Sequence, residues 1–245
     1  MREATITLTV RGRRTASTPR SDRVPLGSLP WTVERIFPLA LFQVGWLLWF
    51  GAVWTIGCAI ASAADSPAQP YFDFERTAPF VAWMVPCYVS QDLAVLLVPF
   101  AFRDVRDYLP LATVMLVLGI VASTCFALFP MTLGFEGGSG VWAPLAATVG
   151  APDPGAGGYA PSLHVAYMVV IAAALAPRLG PRAAPWLWAW AAAVAASTYY
   201  VHEHHLVDIA TGAVLGMAGA AVLPVASRWV STIRPRSTSP AGDAR

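Results

Sequence analysis

Apolar positions in this chain neither alternate nor recur as one stripe around a helix. They come in six long, nearly unbroken runs, at about 36–63, 78–102, 108–130, 162–177, 184–201 and 206–227. Roughly 20 consecutive apolar residues suffice to cross the hydrocarbon of a bilayer as an α-helix. Inside that hydrocarbon only helices or closed barrels satisfy the backbone, and these runs lack the two-residue period of a barrel. The pattern therefore predicts an all-α polytopic membrane protein, a bundle of six transmembrane helices over residues 36–227. The fourth run is short by itself, and its start is the least sharply marked boundary. Residues 1–35 and 228–245 are polar, rich in Arg, Ser, Thr and Pro, and are expected to be disordered tails. The first 30 residues carry no apolar core followed by a small-residue cleavage site, so no signal peptide is expected there.

Composition agrees with this reading. The chain is 56% hydrophobic and 12% charged, with ten tryptophans, against about a quarter charged in an ordinary soluble domain. Its basic residues are all arginine, and they cluster in alternate connections. The N-terminal segment, Arg103 and Arg106, Arg178 and Arg182, and the C-terminal end form one set; only Arg76 falls in the opposite one. By the positive-inside tendency both termini are cytoplasmic, and the loops at about 64–77, 131–161 and 202–205 lie outside. The net charge of +2 is this topological bias, and no basic-aromatic face suggests nucleic acid. Cys58, Cys87 and Cys125 fall inside separate runs at unrelated spacings, which implies neither a disulfide framework nor a thiolate metal site. Gly212, Gly216 and Gly219 in the last run suit close helix packing.

Candidate chemistry is concentrated in "STYYVHEHHLVDIATG", residues 197–212, which holds three of the four histidines. His204 and Asp208 stand four apart, one turn on one face at the start of the sixth helix. A carboxylate there accepts a hydrogen bond from one ring nitrogen and leaves the other unprotonated, the state a nucleophile or base requires. The fourth histidine lies in "GYAPSLHVAY", where Pro161, Ser162 and His164 open the fourth helix after a Gly/Pro-rich loop. Free N–H groups of such a first turn form an anion site. By the expected topology both helix starts lie on the outer side, so His164, His204 and Asp208 converge there as candidate catalytic residues.

"PSLH" followed by "STYYVHEHHLVD" resembles the second and third signature motifs of the type 2 phosphatidic acid phosphatase superfamily. Those motifs read Pro-Ser-Gly-His, and Ser-Arg, five residues, His, three residues, Asp. Leu163, and Thr198 where arginine is usual, look more like the branch of inositol phosphorylceramide synthases and sphingomyelin synthases. The resemblance implies a two-step transfer: His204 forms a phosphohistidine, Asp208 orients it, and His164 protonates the leaving oxygen and then activates water or alcohol. It implies a lipid phosphate or phospholipid substrate at the outer face, possible transfer to a lipid alcohol acceptor, and no cofactor or metal. An inositolphosphotransferase-like enzyme and a simple lipid phosphate phosphatase both fit. A transporter or scaffold that keeps the helices without the chemistry is the rival from another class.

The departures from the family pattern are cationic. The first motif supplies Lys and Arg before a proline, whereas this chain has no lysine and offers only Phe129-Pro130 at the end of the third run. Phosphate binding would then pass to the N–H groups from Ser162 through Leu163 to His164, to Ser197, and to Arg76. For Arg76 the favoured reading is an interfacial anchor or a partner of Asp73 or Glu75. "HEHHL" lacks the second histidine of a helical zinc motif, and His202, Glu203 and His205 are expected to be exposed interfacial residues. Tyr199, Tyr200, Trp186, Trp188 and Trp190 suit an interfacial belt. The outer loop at 131–160 is long enough for a lid over the site, or is plain linker.

Overall fold

The computed structural model describes residues 29–135, 141, 144–145 and 156–232. The expected tails therefore lie mostly outside the described residues, as does most of the loop read as a lid or linker. Among the described residues, six α-helices make the architecture: α1 (Val33–Ser62), α2 (Val85–Leu97), α3 (Val105–Leu128), α4 (Leu163–Leu179), α5 (Ala184–Tyr200) and α6 (Leu206–Thr232). Each occupies one apolar run, and α1 and α6 extend a few residues past the expected 36–227 core. The one paired ladder among the described residues is a short antiparallel match of β1 (Met131–Thr132) with β2 (Ala156–Gly157).

Among the described residues, four segments are long and apolar enough to cross a membrane: Val33–Ser62, Ala82–Ala101, Val105–Leu128 and Leu206–Val230. The second is α2 with its flanking 3-10 turns. Helices α4 and α5 have 17 residues each, the lower limit for a span. Helix starts follow local chemistry. Asp104 caps α3 by accepting from the Asp107 N–H at 2.9 Å, Ser162 caps α4, and proline occupies the first turn of α2 and α5.

Helix α3 and helix α4 form the middle of the bundle, with Leu111, Met115, Leu118, Ala166, Val170 and Ile171 buried. Helix α1 packs on α3, α6 on both α3 and α4, and α5 on α4 and α2. Outward-facing Leu48, Ile56, Val214, Met217 and Val225 are exposed, an apolar exterior that suits lipid. At the end of the bundle away from His164, Arg178 makes a two-pronged pair with Asp107 at 2.8 and 3.1 Å. Arg35, also at that end, donates to the carbonyls of Pro30, Phe100 and Phe102, so a cation meets carbonyls left open at the end of the α2 segment.

The tightest contact is between α4 and α6. A Cβ at Gly212 would sit 2.5 Å from the Ser162 carbonyl oxygen, and one at Gly216 would sit 2.8 Å from that of Ala166. Both obstacles are backbone, so nothing flexible can yield. Gly45 on α1 has nothing within 4 Å of the same position. Gly212→Ala is expected to lower stability by about 1–3 kcal/mol, read as an earlier unfolding midpoint in detergent, whereas Gly45→Ala leaves the midpoint unchanged or raises it. Equal midpoints for the two variants would contradict this packing.

Candidate active site

Two local structures carry the histidines to one end of the bundle. On α4, Ser162 is fully buried; its Oγ accepts from the Val165 N–H at 3.4 Å, and its own N–H donates to the Asp208 carbonyl at 3.0 Å. His164 follows as the second helical residue. In the turn between α5 and α6, the Thr198 carbonyl accepts from the N–H groups of Glu203 and His204 at 3.0 and 3.1 Å. Asp208, three residues into α6, reaches back so that its Oδ2 accepts from the His205 N–H at 2.9 Å. That is the return half of a capping box, and it fixes the carboxylate beside the preceding residue.

His204 and Asp208 thus meet with Nδ1 and Oδ2 3.5 Å apart, an ion-pair contact longer than a hydrogen bond. Both are buried, and His204 Nδ1 and Asp208 Oδ1 have no hydrogen-bond partner among the described residues. With Nδ1 turned to the carboxylate, Nε2 is the nitrogen left for chemistry. The His164 and His204 rings lie edge to face with centroids 5.7 Å apart. They line one cavity of about 290 Å³, together with Leu163, Tyr88, Gln91, Asp92 and a set of aromatic and aliphatic side chains from α1, α2 and α3. Among the described residues that line it, none is an arginine.

The remaining candidates separate. Ser162 is a helix cap behind the cavity wall. Ser197 is buried and donates to the Val194 carbonyl at 2.7 Å. Arg76 is exposed, with Nε on the Gly134 carbonyl at 3.3 Å, and is not among the residues lining the cavity. Of the four residues expected to bind phosphate, only Leu163 lines it.

Sequence reasoning missed two features. The first is Asp92 on α2, whose Oδ1 lies 4.0 Å from His164 Nε2, while Tyr88, one turn earlier, stacks on the His164 ring at 4.5 Å. The signal was present: Asp92 and Asp208 are the only charged residues in the six apolar runs, and such residues are costly unless partnered. The second is His205, expected to be exposed and in fact 1% exposed. Its Nδ1 donates to Glu75 Oε2 at 3.1 Å, and its Nε2 faces the Leu133 carbonyl. Glu75, fully buried, also accepts from the Leu206 and Phe72 N–H groups at 2.8 and 3.0 Å. Tyr71 and Phe135 stack on the imidazole at 4.5 and 4.2 Å. His202, also expected to be exposed, is half-buried and holds the Ala78 carbonyl at 3.0 Å. No group of three or more His, Cys, Asp or Glu able to hold a metal ion occurs among the described residues.

Residues 129–232 match the family model of the PAP2 superfamily, a stretch running from the end of α3 through α6 and containing both histidines. Helices α1, α2 and α3 lie outside the match. No curated protein and no solved structure matches the chain. The matched segment and the apolar helices together point to a membrane-associated protein of phosphatase type.

The Glu75–His205 clasp has its own consequence. Glu75→Ala leaves a buried imidazole and the Leu206 N–H without their acceptor, and a broken buried pair costs about 3–5 kcal/mol. A drop of that order in the free energy of unfolding is expected by denaturant titration, and a wild-type transition would contradict the clasp.

Proposed function

We propose that this chain is a six-span integral membrane enzyme that takes a phosphoryl or phospho-headgroup from a lipid and passes it to water or to a lipid alcohol. In this reading both termini are cytoplasmic, residues 1–35 and 228–245 are tails, and the cavity opens at the outer face. The observation that carries it is the meeting of His164 and His204 across one cavity, with a buried carboxylate behind His204. Residues 40 apart in sequence have no structural need to place two imidazoles face to edge on one cavity wall.

In the proposed reaction His204 Nε2 attacks phosphorus, and the bond from phosphorus to the lipid oxygen breaks. His164 gives its proton to that oxygen, and Asp208 stabilises the positive charge that appears on the His204 ring. In the second step water or an alcohol attacks the phosphohistidine, gives its proton to His164, and frees His204. The Leu163 and His164 N–H groups at the start of α4 face the same end and supply donors to a phosphate oxygen. Transfer of an inositolphosphate-like headgroup and simple hydrolysis share every one of these steps.

The lining without arginine is the observation that favours the other reading, a transporter or scaffold of the same fold, since phosphoryl transfer leans on charge stabilisation. Purified protein offered phosphatidic acid, phosphatidylinositol and phosphatidylcholine, with and without diacylglycerol or ceramide, decides between them. Turnover is expected, with an acid-labile phospho-adduct that His204→Ala abolishes. Asp208→Asn is expected to lower kcat by about 10²–10⁴-fold. Undiminished turnover in His204→Ala would overturn the nucleophile assignment, and no turnover of any lipid would favour the scaffold.

A further inference from the structure

The two charged side chains of the apolar runs stand in matching relations to the two histidines. Asp208 lies 3.5 Å from His204, and Asp92, on a different helix, lies 4.0 Å from His164. Asp92 belongs to none of the motifs that carry the family resemblance, and it lies outside the matched residues 129–232. Its side chain is about half exposed, at 49%, against 20% for His164, and both line the cavity. An aspartate so placed within an apolar helix is costly unless it has a partner or a task. Among the described residues, the partner of opposite charge potential within ion-pair reach is the imidazole opposite.

We infer that Asp92 is the positioning carboxylate of His164, so that the cavity holds two histidine–aspartate dyads with opposite duties. The inference rests on the reading of His204 as nucleophile and His164 as proton donor. The Asp208 dyad keeps His204 with a free Nε2. The Asp92 dyad favours the imidazolium form of His164, because a carboxylate within 4–6 Å stabilises the charged partner. That form is needed twice: to protonate the lipid oxygen as its bond to phosphorus breaks, and to hold the proton taken from water or alcohol in the second step. It also sets a positive charge beside a phosphate in a wall that offers no arginine. Tyr88 holds the ring plane by stacking, and the exposed Asp92 carboxylate has room to close the remaining distance, as such contacts commonly tighten around substrate.

The other titratable groups at the cavity do not duplicate this task. From the α5–α6 turn come His204, with Asp208 behind it, and Glu203. Tyr159, from the segment before α4, lines the cavity too, as does Tyr167 on α4 itself, whose hydroxyl is committed to the Met115 carbonyl at 3.0 Å. The carboxylate that stands within ion-pair reach of His164 Nε2 is that of Asp92, at 4.0 Å.

The test uses leaving groups in full-length protein. Phosphatidic acid, whose alkyl leaving oxygen needs a proton, is compared with p-nitrophenyl phosphate, whose nitrophenolate does not; phosphatidylcholine and p-nitrophenyl phosphorylcholine serve if wild type prefers diesters. Asp92→Asn is expected to lower kcat on the lipid about 30-fold but on the nitrophenyl ester less than about threefold. It should also move the alkaline limb of kcat/KM to lower pH, because His164 then loses its proton more readily, while Asp92→Glu restores both. Because the ratio is taken within one preparation, a partly unfolded variant does not disturb it. In an Asp92→Asn/His164→Ala double variant no further loss beyond His164→Ala is expected. Equal losses on both substrates, or an unmoved pH limb, would overturn the inference; so would a change confined to KM for one headgroup, which would make Asp92 a headgroup reader. If His204→Ala stays active, or wild type turns over none of the four nor phosphatidylinositol, the underlying reading fails and the inference with it. An inactive His204→Ala beside an unaffected Asp92→Asn leaves that reading standing and removes the inference alone.

Discussion

Everything at the candidate site depends on how closely α4 approaches α6. The two helices touch backbone to backbone, since Gly212 and Gly216 leave no Cβ to hold them apart from Ser162 and Ala166. At that separation the Ser162 N–H reaches the Asp208 carbonyl, which fixes the register of one helix start against the other. His164 lies two residues beyond Ser162, and His204 lies one turn before Asp208. A single backbone hydrogen bond therefore sets the spacing of both imidazoles. Lipid supplies no hydrophobic drive between helices, so small residues and this bond must do what a large apolar interface does in a soluble protein.

Around that contact the polar groups are arranged for rigidity first. Asp208 is at once a helix cap through His205 N–H and the neighbour of the His204 ring. Glu75 collects N–H groups from the loop after α1 and from the start of α6, and adds the His205 ring. Val81 N–H bonds the Tyr200 carbonyl, and Ala68 bonds both Pro130 and Thr132. Each of these ties one connection to another across the same end of the bundle. A carboxylate that already accepts fixed donors needs little reorganisation when charge appears beside it, which is the property electrostatic catalysis requires.

The sequence made some of this legible and hid the rest for identifiable reasons. Long apolar runs fix helices through a local property, so α3, α5 and α6 begin and end close to where hydropathy changes. The Asp208–His204 relation is also local, one helical turn, and was readable from spacing. Contacts that join distant segments were not. His205 resembles any polar residue in a membrane-surface turn until Glu75, 130 positions away, is brought against it. Arg76 was the sole cation on its side by counting, yet the chain directs it to the Gly134 carbonyl on the surface. Ser162 and Ser197 read as phosphate donors because they sit in the motifs, whereas their hydroxyls and backbone serve the helix ends. Asp92 was the informative case. Averaged hydropathy reduces a lone aspartate to a shallow dip, although its cost in an apolar helix is what marks it.

The charge balance of the cavity follows from the same residues. A phosphate group brought to this wall meets no guanidinium among the described residues, and it meets carboxylates from α2, from Glu203 in the α5–α6 turn and, behind His204, from α6. In the proposed reading the positive charge that meets the anion sits on His164, while His204 keeps Nε2 free for attack. Each aspartate then has an electrostatic reason for its place: Asp92 lies beside the imidazole proposed to carry the proton, and Asp208 beside the one that becomes positive only on attack. The two dyads differ in what lies around them. Asp208 is buried and bound to a backbone N–H, which spreads its charge and ties it to helix geometry; Asp92 stands half exposed in the cavity without such a tether. A fixed carboxylate suits a histidine that must hold one orientation through covalent attack. A movable one suits a histidine that must give up a proton and take it back.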